Sequence, residues 1–395
     1  MNILDIIGRE ELLFVNDTSN NEKILTELIT NAKIMVIGAA GSIGQAVSLE
    51  IFKRNPKVLH LIDMSENNLV ELVRTLRSSI GYSVGEFKTF AIDCNSAEFS
   101  FLMNVEGPYD YIFNLSALKH VRSEKDPYTL MRLIQTNIFN PVNVIRHTSS
   151  RDLKNYFCVS TDKAANPVNM MGASKKIMEQ YLTRESSSYH ISMARFANVA
   201  FSDGSLLHGF NQRFAKRQPL TAPSDIRRYF LVPEEAGELC MLSGFLGGNR
   251  EIFFPKLDEN LHLERFSQIA IRFLESLGFE PVECDSEQEA RERMQELHNL
   301  RKWPVYFFNS DTSGEKAFEE FYTHREELDL NRFNKIGVIF NDMDFNDVYL
   351  TEFESTINDF RKRKKWDKAI LLEEFKKLVP EFEHIETGKS LESRM

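Results

Sequence analysis

Short apolar runs rich in β-branched residues recur along the first half of the chain, and between them apolar residues return at helical spacing. The first run, KIMVIG from Lys33 to Gly38, predicts a buried strand after a polar helical lead-in that ends near Asn31. QAVSLEIFKR follows, with Ala46, Val47, Leu49 and Ile51 on one helical face. VLHLID, FKTFAID and DYIFNLS predict further strands ending at Asp63, Asp93 and near Ser116. NYFCVST and ISMARF predict two more, with MGASKKIMEQYL as the helix between them. Strands alternating with helices predict an α/β fold with a doubly wound parallel sheet covered on both faces.

The pattern divides the chain into a lead-in over 1–30, a dinucleotide-binding domain over 31–199, a smaller mixed lobe over 200–310 and an extension over 311–395. The smaller lobe contains a turn (FSDGS), a basic segment (KRQPLTAPSDIRRYF) and a short strand at EIFFP, and is expected to close over a ligand. The extension is charged, aromatic and mostly helical by pattern, with EEFYTHREELDL and ILLEEFKKLVPEF as its clearest helices. It is expected to cap the core, with contact to another subunit or to the pocket as the alternatives.

Composition narrows the function classes. With 395 residues and 42% hydrophobic residues the chain can bury a sizeable core. No apolar stretch is long enough to span a bilayer and the opening MNILDIIGREELLF lacks the early basic segment of a signal peptide, so a soluble, cytoplasmic protein is expected. Cys94, Cys158, Cys240 and Cys284 are scattered, which implies reduced thiols and no metal. A net charge of -10 argues against a nucleic-acid surface, and Arg361 to Lys365, flanked by acids, reads as a solvated helix face.

Gly38, Gly41 and Gly44 follow a strand and open a helix, where backbone N–H groups and the helix dipole attract a pyrophosphate. With Ser42 and Ile43 between them they predict a dinucleotide site. Asp63 can accept hydrogen bonds from an unmodified ribose and would repel a 2′-phosphate, favouring NAD; Ser65 and Asn67 leave NADP open. Asp93 is a candidate for the adenine or a turn cap.

The GxxGxxG spacing and the segment CVSTDKAANPVNMMGASK resemble the extended short-chain dehydrogenases, specifically the nucleotide-sugar 4,6-dehydratases of polysaccharide biosynthesis that act on UDP-N-acetylglucosamine. The resemblance covers most of residues 3 to 275. It implies a tightly held nicotinamide dinucleotide regenerated each turnover, a UDP-sugar substrate and a homo-oligomer. Within it, Lys163 is the base at C5, Asp162 the acid for the departing C6 hydroxyl and Thr161 the partner of the C4 oxygen, while Lys175 holds the nicotinamide ribose. As a base, Lys163 must lose its proton near neutrality. Where most short-chain dehydrogenases carry tyrosine, this chain has Met171, a mark that a subset of the dehydratases resembles; Asp162 or a water then accepts the C4 proton. Lys119 and His120 resemble the family's pair beside the nucleotide sugar, and Asn198 and Arg228 its diphosphate contacts, with Ala197 and Arg227 as departures. FFNSDTSGEKAFEEFY resembles the tail of dehydratases linked to nonulosonic acids, and the opening ILDIIGREE matches a segment that membrane helices precede in larger members. A nucleotide-sugar 4-epimerase and a non-catalytic dinucleotide-binding sensor are the competing expectations.

Overall fold

A computed structural model of the chain describes residues 2–257, 262–310, 316, 318–342 and 345–384. The apolar runs form β1 (Lys33–Ile37), β2 (Val58–Asp63), β3 (Glu86–Ala91), β4 (Tyr111–Asn114), β5 (Asn155–Thr161) and β6 (Ile191–Phe196). Later strands are β7 (Asn198–Val199), β8 (Leu220–Pro223), β9 (Arg227–Leu231), β10 (Glu251–Pro255), β11 (Leu263–Arg265), β12 (Glu280–Glu283), β13 (Lys302–Phe308), β14 (Glu327–Asp329) and β15 (Ile336–Phe340).

Among the described residues, nine strands form one sheet in the order β14-β15-β10-β6-β5-β4-β1-β2-β3. The pairs from β3 to β10 are parallel, while β15 pairs antiparallel with both β10 and β14. Because β1 lies between β2 and β4, chain direction along the sheet reverses there, opening a crevice beyond the carboxyl ends of these strands. The glycine turn after β1, Asp63 at the end of β2 and Thr161 at the end of β5 therefore share one edge.

EIFFP departs from its expected place in the smaller lobe. It is β10, parallel to β6 with Ile252 opposite Met193. All five of its residues are buried, as suits an inner strand of a sheet covered on both faces.

The smaller lobe carries two three-stranded sheets, β11-β9-β7 and β12-β13-β8. Its core gathers Phe210, Phe273, Phe279 and Trp303, with Ile6 and Ile7 of the lead-in packed among them.

In the extension, ILLEEFKKLVPEF falls on the helix Lys368–Leu378, which packs with the helix Asp347–Arg363. Leu350, Phe353, Ile357, Leu371 and Phe375 from this pair share a buried cluster with Leu130, Ile134, Phe139 and Tyr181 of the half that carries β1 to β6. Arg361, Lys362 and Arg363 lie exposed in the last turn of the first of these helices, where cations complement the helix dipole.

EEFYTHREELDL, expected as a helix, instead runs through turns into β14. Its side chains are claimed by distant partners: Glu320 accepts from Asn166 at 2.8 Å, and the Phe321 carbonyl and Glu326 carboxylate accept from Arg195. Those bonds outweigh a helix propensity of a few tenths of a kcal/mol per residue. Of the tail resemblance, residues 311–315 and 317 lie outside the described residues.

Candidate active site at the carboxyl edge of the sheet

Glycine is required in the first turn for steric reasons. Gly38 has φ +74, and a Cβ there would stand 2.9 Å from the Ser116 nitrogen. A Cβ on Gly44 would stand 2.0 Å from the Gly38 carbonyl, whereas one on Gly41 would meet that oxygen at an ordinary 3.5 Å. Gly41 is the N-cap of the helix Ser42–Phe52 and is exposed, which leaves the turn open to close backbone approach by a ligand. Ile43 is half-buried behind it.

Asp63 spans two turns. Its Oδ2 accepts from the Ala40 nitrogen at 2.9 Å and its Oδ1 from the Ser65 nitrogen at 2.9 Å. Two acceptor sites on the carboxylate remain for a ligand hydroxyl. Asp93 accepts from the Asn95 backbone and side chain at 2.9 and 3.3 Å, closing its own turn.

At the end of β5 three neighbours interlock. Thr161 Oγ1 donates to Asp162 Oδ1 at 2.8 Å, and the Lys163 backbone and ammonium donate to the same oxygen at 2.8 and 3.0 Å. Asp162 is buried and Lys163 nearly so. Burial pulls the Lys163 pKa down, but the carboxylates of Asp162 and Glu319 outweigh it and leave the ammonium above its ordinary value. The deprotonated lysine that a base requires is thus not favoured by its protein neighbours alone.

The helix Met170–Glu185 leaves this edge, capped by Asn169, whose side chain accepts from the Gly172 nitrogen at 2.8 Å. Met171 is buried in its first turn. Lys175, one turn on, donates to the Val159 carbonyl at 2.9 Å, and burial lowers its pKa. Asn137, in a π-helical turn over Gln135–Phe139, donates to Ser174 at 3.0 Å and accepts from the Leu118 nitrogen at 2.8 Å, so it ties the helix Met170–Glu185 to the loop that carries Lys119.

The FSDGS turn joins the glycine turn to that loop. Asp203 donates its backbone N–H to Ser42 Oγ at 2.9 Å, and Lys119 Nζ donates to Ser202 at 3.2 Å. Gly204, at φ +71, leaves room for His120, whose Nε2 would stand 2.8 Å from a Cβ. Burial, then Arg122 and Lys119, push His120 down to about 4, so its imidazole is neutral at pH 7. Burial likewise lowers Lys119.

Asn198 on β7 lies opposite Phe230 of β9, two residues from Arg228. The Asn198 Nδ2 is buried and has no hydrogen-bond partner among the described residues, as fits a donor waiting for an oxygen-rich ligand. Arg228 is buried, donates to the Arg227 and Lys316 carbonyls at 2.8 and 2.9 Å, and lies 3.9 Å from Glu319.

A family model described as polysaccharide biosynthesis protein matches residues 34–340. The chain belongs to that family. Among relatives, it is 28% identical over 277 residues to the capsular polysaccharide biosynthesis protein CapD of Staphylococcus aureus, a match over 69% of this chain and 46% of CapD. The chain thus spans less than half of that relative. It is 29% identical over 245 residues to a UDP-N-acetylglucosamine 4,6-dehydratase (inverting) of Campylobacter jejuni, covering 58% of this chain and 68% of the relative. Among solved structures, Pen from Bacillus thuringiensis superposes with TM-score 0.64 at 22% identity, over 80% of this chain and 89% of that one.

In this member of the polysaccharide biosynthesis family, two site features escaped the sequence. Glu319 lies 3.9 Å from both Lys163 and Arg228, contributed by the extension. Arg195, fully buried in β6, pairs with Glu179 at 2.8 Å and Glu326 at 2.7 Å, and Glu179 also accepts from Ser160 at 2.6 Å. The signal for the second was present: an arginine inside the apolar run ISMARF demands buried carboxylates.

Proposed function

We propose that this chain is a UDP-N-acetylglucosamine 4,6-dehydratase that makes a UDP-4-keto-6-deoxy-N-acetylhexosamine for surface polysaccharide, bacillosamine or nonulosonic-acid synthesis. The observation that carries the proposal is the hydrogen-bonded Thr161, Asp162 and Lys163 cluster, a hydroxyl, a carboxyl group and an amine on one edge with the glycine turn, which supports an acid and a base there. Removal of water needs both groups, while epimerisation needs neither in those roles. The name of the Campylobacter relative supports the same reading.

NAD, with NADP as the alternative, suits the turn, because Gly38 and Gly44 leave no space for a Cβ and Gly41 leaves the helix N-terminus open. When bound, it would supply the reversible hydride transfer that the chemistry requires. Gly38, Gly41, Ser42, Ile43 and Gly44 would hold its pyrophosphate and Asp63 its ribose. Lys175 would orient the second ribose, and Asp93, which also caps its own turn, would bond the adenine. Asn198 and Arg228 would hold the UDP diphosphate, with Lys119 and His120 beside the sugar.

Thr161 bonds the C4 oxygen, Lys163 takes the C5 proton once the C4 ketone has acidified it, and Asp162 protonates the departing C6 hydroxyl. Met171 cannot exchange protons, so Asp162 or a water accepts the C4 hydroxyl proton. A cytoplasmic homo-oligomer completes the proposal.

The test is incubation of purified protein with UDP-N-acetylglucosamine in deuterated water, without added cofactor, followed by proton NMR. A C6 methyl signal, with deuterium at C5, is the expected result. A C4-inverted sugar that keeps its C6 hydroxyl would replace this proposal with an epimerase, and no conversion with NAD bound would favour the sensor.

A further inference from the structure

Four charged groups alternate in sign across the site. Asp162 contacts Lys163 at 3.0 Å, Lys163 lies 3.9 Å from Glu319, and Glu319 lies 3.9 Å from Arg228. The middle carboxylate comes from the extension, whose path is pinned on either side of it: Lys316 donates to the Asn166 carbonyl, and Glu326 and the Phe321 carbonyl accept from Arg195. Glu319 is itself buried, at 3% side-chain exposure.

We propose that Glu319 is a positioning residue that takes the proton from Lys163 when a diphosphate binds beside Arg228. The proposal rests on Lys163 being the base assigned above. Lys163 and Glu319 stand 3.9 Å apart, beyond a direct hydrogen bond, so a small closure or one bridging water carries the proton: the N–H bond of Lys163 breaks, an O–H bond forms on Glu319, and net charge is unchanged. The lysine lone pair is then free to take the C5 proton.

The direction of the switch follows from position. Lys163 faces Asp162, Glu319 and Arg228, and Glu319 faces Lys163, Asp162, Arg228 and Lys316. Among the protein's own groups, the Arg228 cation steadies the Glu319 carboxylate. A diphosphate paired with Arg228 cancels that cation and adds negative charge on the Glu319 side, which raises the proton affinity of Glu319 more than that of Lys163. Glu319 is already poised for this, since burial, opposed by Lys163, holds its pKa above the ordinary carboxylate value. Asp162 is the weaker acceptor, because its Oδ1 already accepts from Thr161 Oγ1 and from both the backbone and the ammonium of Lys163.

Two measurements test this. In the first, pH profiles of kcat for dehydration are compared for the wild type, Glu319→Gln and Glu319→Asp. Loss of the acceptor lowers Glu319→Gln on the order of 100-fold at pH 7. That deficit shrinks as pH rises, because hydroxide replaces the missing carboxylate, and Glu319→Asp recovers part of the neutral-pH rate. A uniform loss at every pH, or an unchanged profile, overturns the proposal.

The second needs no turnover: the pH dependence of reductive methylation at Lys163 is followed by mass spectrometry with and without UDP. UDP alone is an anion and would push a lone lysine up in pKa, so a shift of wild-type reactivity to lower pH, absent in Glu319→Gln, is the expected result. The wild-type comparison stands even if the variant fails to fold, and no downward shift overturns the proposal. If the wild type shows the shift but makes no 4-keto-6-deoxy sugar, the coupling holds and the dehydratase assignment fails.

Discussion

Arg195, fully buried in β6, donates from one guanidinium to Glu179 of the helix Met170–Glu185 and to Glu326 of the extension. Burial opposes the charge, but the two carboxylates hold the arginine's pKa above its ordinary value. One interaction thereby fixes the helix that carries Lys175 and the segment that carries Glu319.

Replacing Arg195 with methionine is expected to destabilise the protein by about 3–5 kcal/mol, because it strands the Glu179 carboxylate in the core. Urea denaturation measures the loss. Glu326→Gln, at a side chain 13% exposed, is expected to cost less and to increase proteolytic cleavage near Phe321.

The glycine turn makes a contrast between two similar substitutions. Gly44→Ala drives a methyl into the Gly38 carbonyl and is expected to cost at least about 1–3 kcal/mol. Gly41→Ala meets only an ordinary contact and leaves the melting temperature near that of the wild type. Its effect falls on dinucleotide affinity, measured by calorimetry. Equal stability of the two variants would refute the steric account.

Glu238 gives stability a pH dependence. Burial, then repulsion by Glu50, push its carboxyl up to about 7 from 4.5. The folded state then binds more protons than the unfolded one between those values, so this group's contribution to stability falls as pH rises from about 4.5 to 7 and is flat above. Glu238→Gln removes the penalty. Its gain over the wild type is expected to be near zero at pH 4.5 and to reach at most ~3 kcal/mol at pH 8, read from denaturation curves.

The extension's helices belong to the core, and Phe353→Ala is expected to cost about 3–5 kcal/mol by leaving a cavity against Phe139 and Phe375. A loss under 1 kcal/mol would mean that these helices detach freely.

How far the fold was legible depended on how local its causes are. NYFCVST, ISMARF and EIFFP match β5, β6 and β10 at both ends, because apolar β-branched and aromatic runs carry their own strand signal. The sheet to which EIFFP belongs was not legible, since pairing with Met193 is a long-range fact. Thr161, Asp162 and Lys163 are consecutive, so their mutual contacts follow from one strand end. Glu319 was hidden, as its segment has a helix-like composition and takes its path from Arg195, 126 residues away at Phe321 and 131 at Glu326.

That separation also orders the birth of the protein. A ribosome-bound chain completes β6 long before Glu326 is made, and until then Arg195 has only Glu179 to neutralise it. β10 meanwhile presents Phe253 and Phe254 on an edge that β15 has yet to cover. The emerging polypeptide therefore carries an uncovered strand edge and a half-neutralised arginine until the extension docks, and only then does Glu319 reach Lys163 and Arg228.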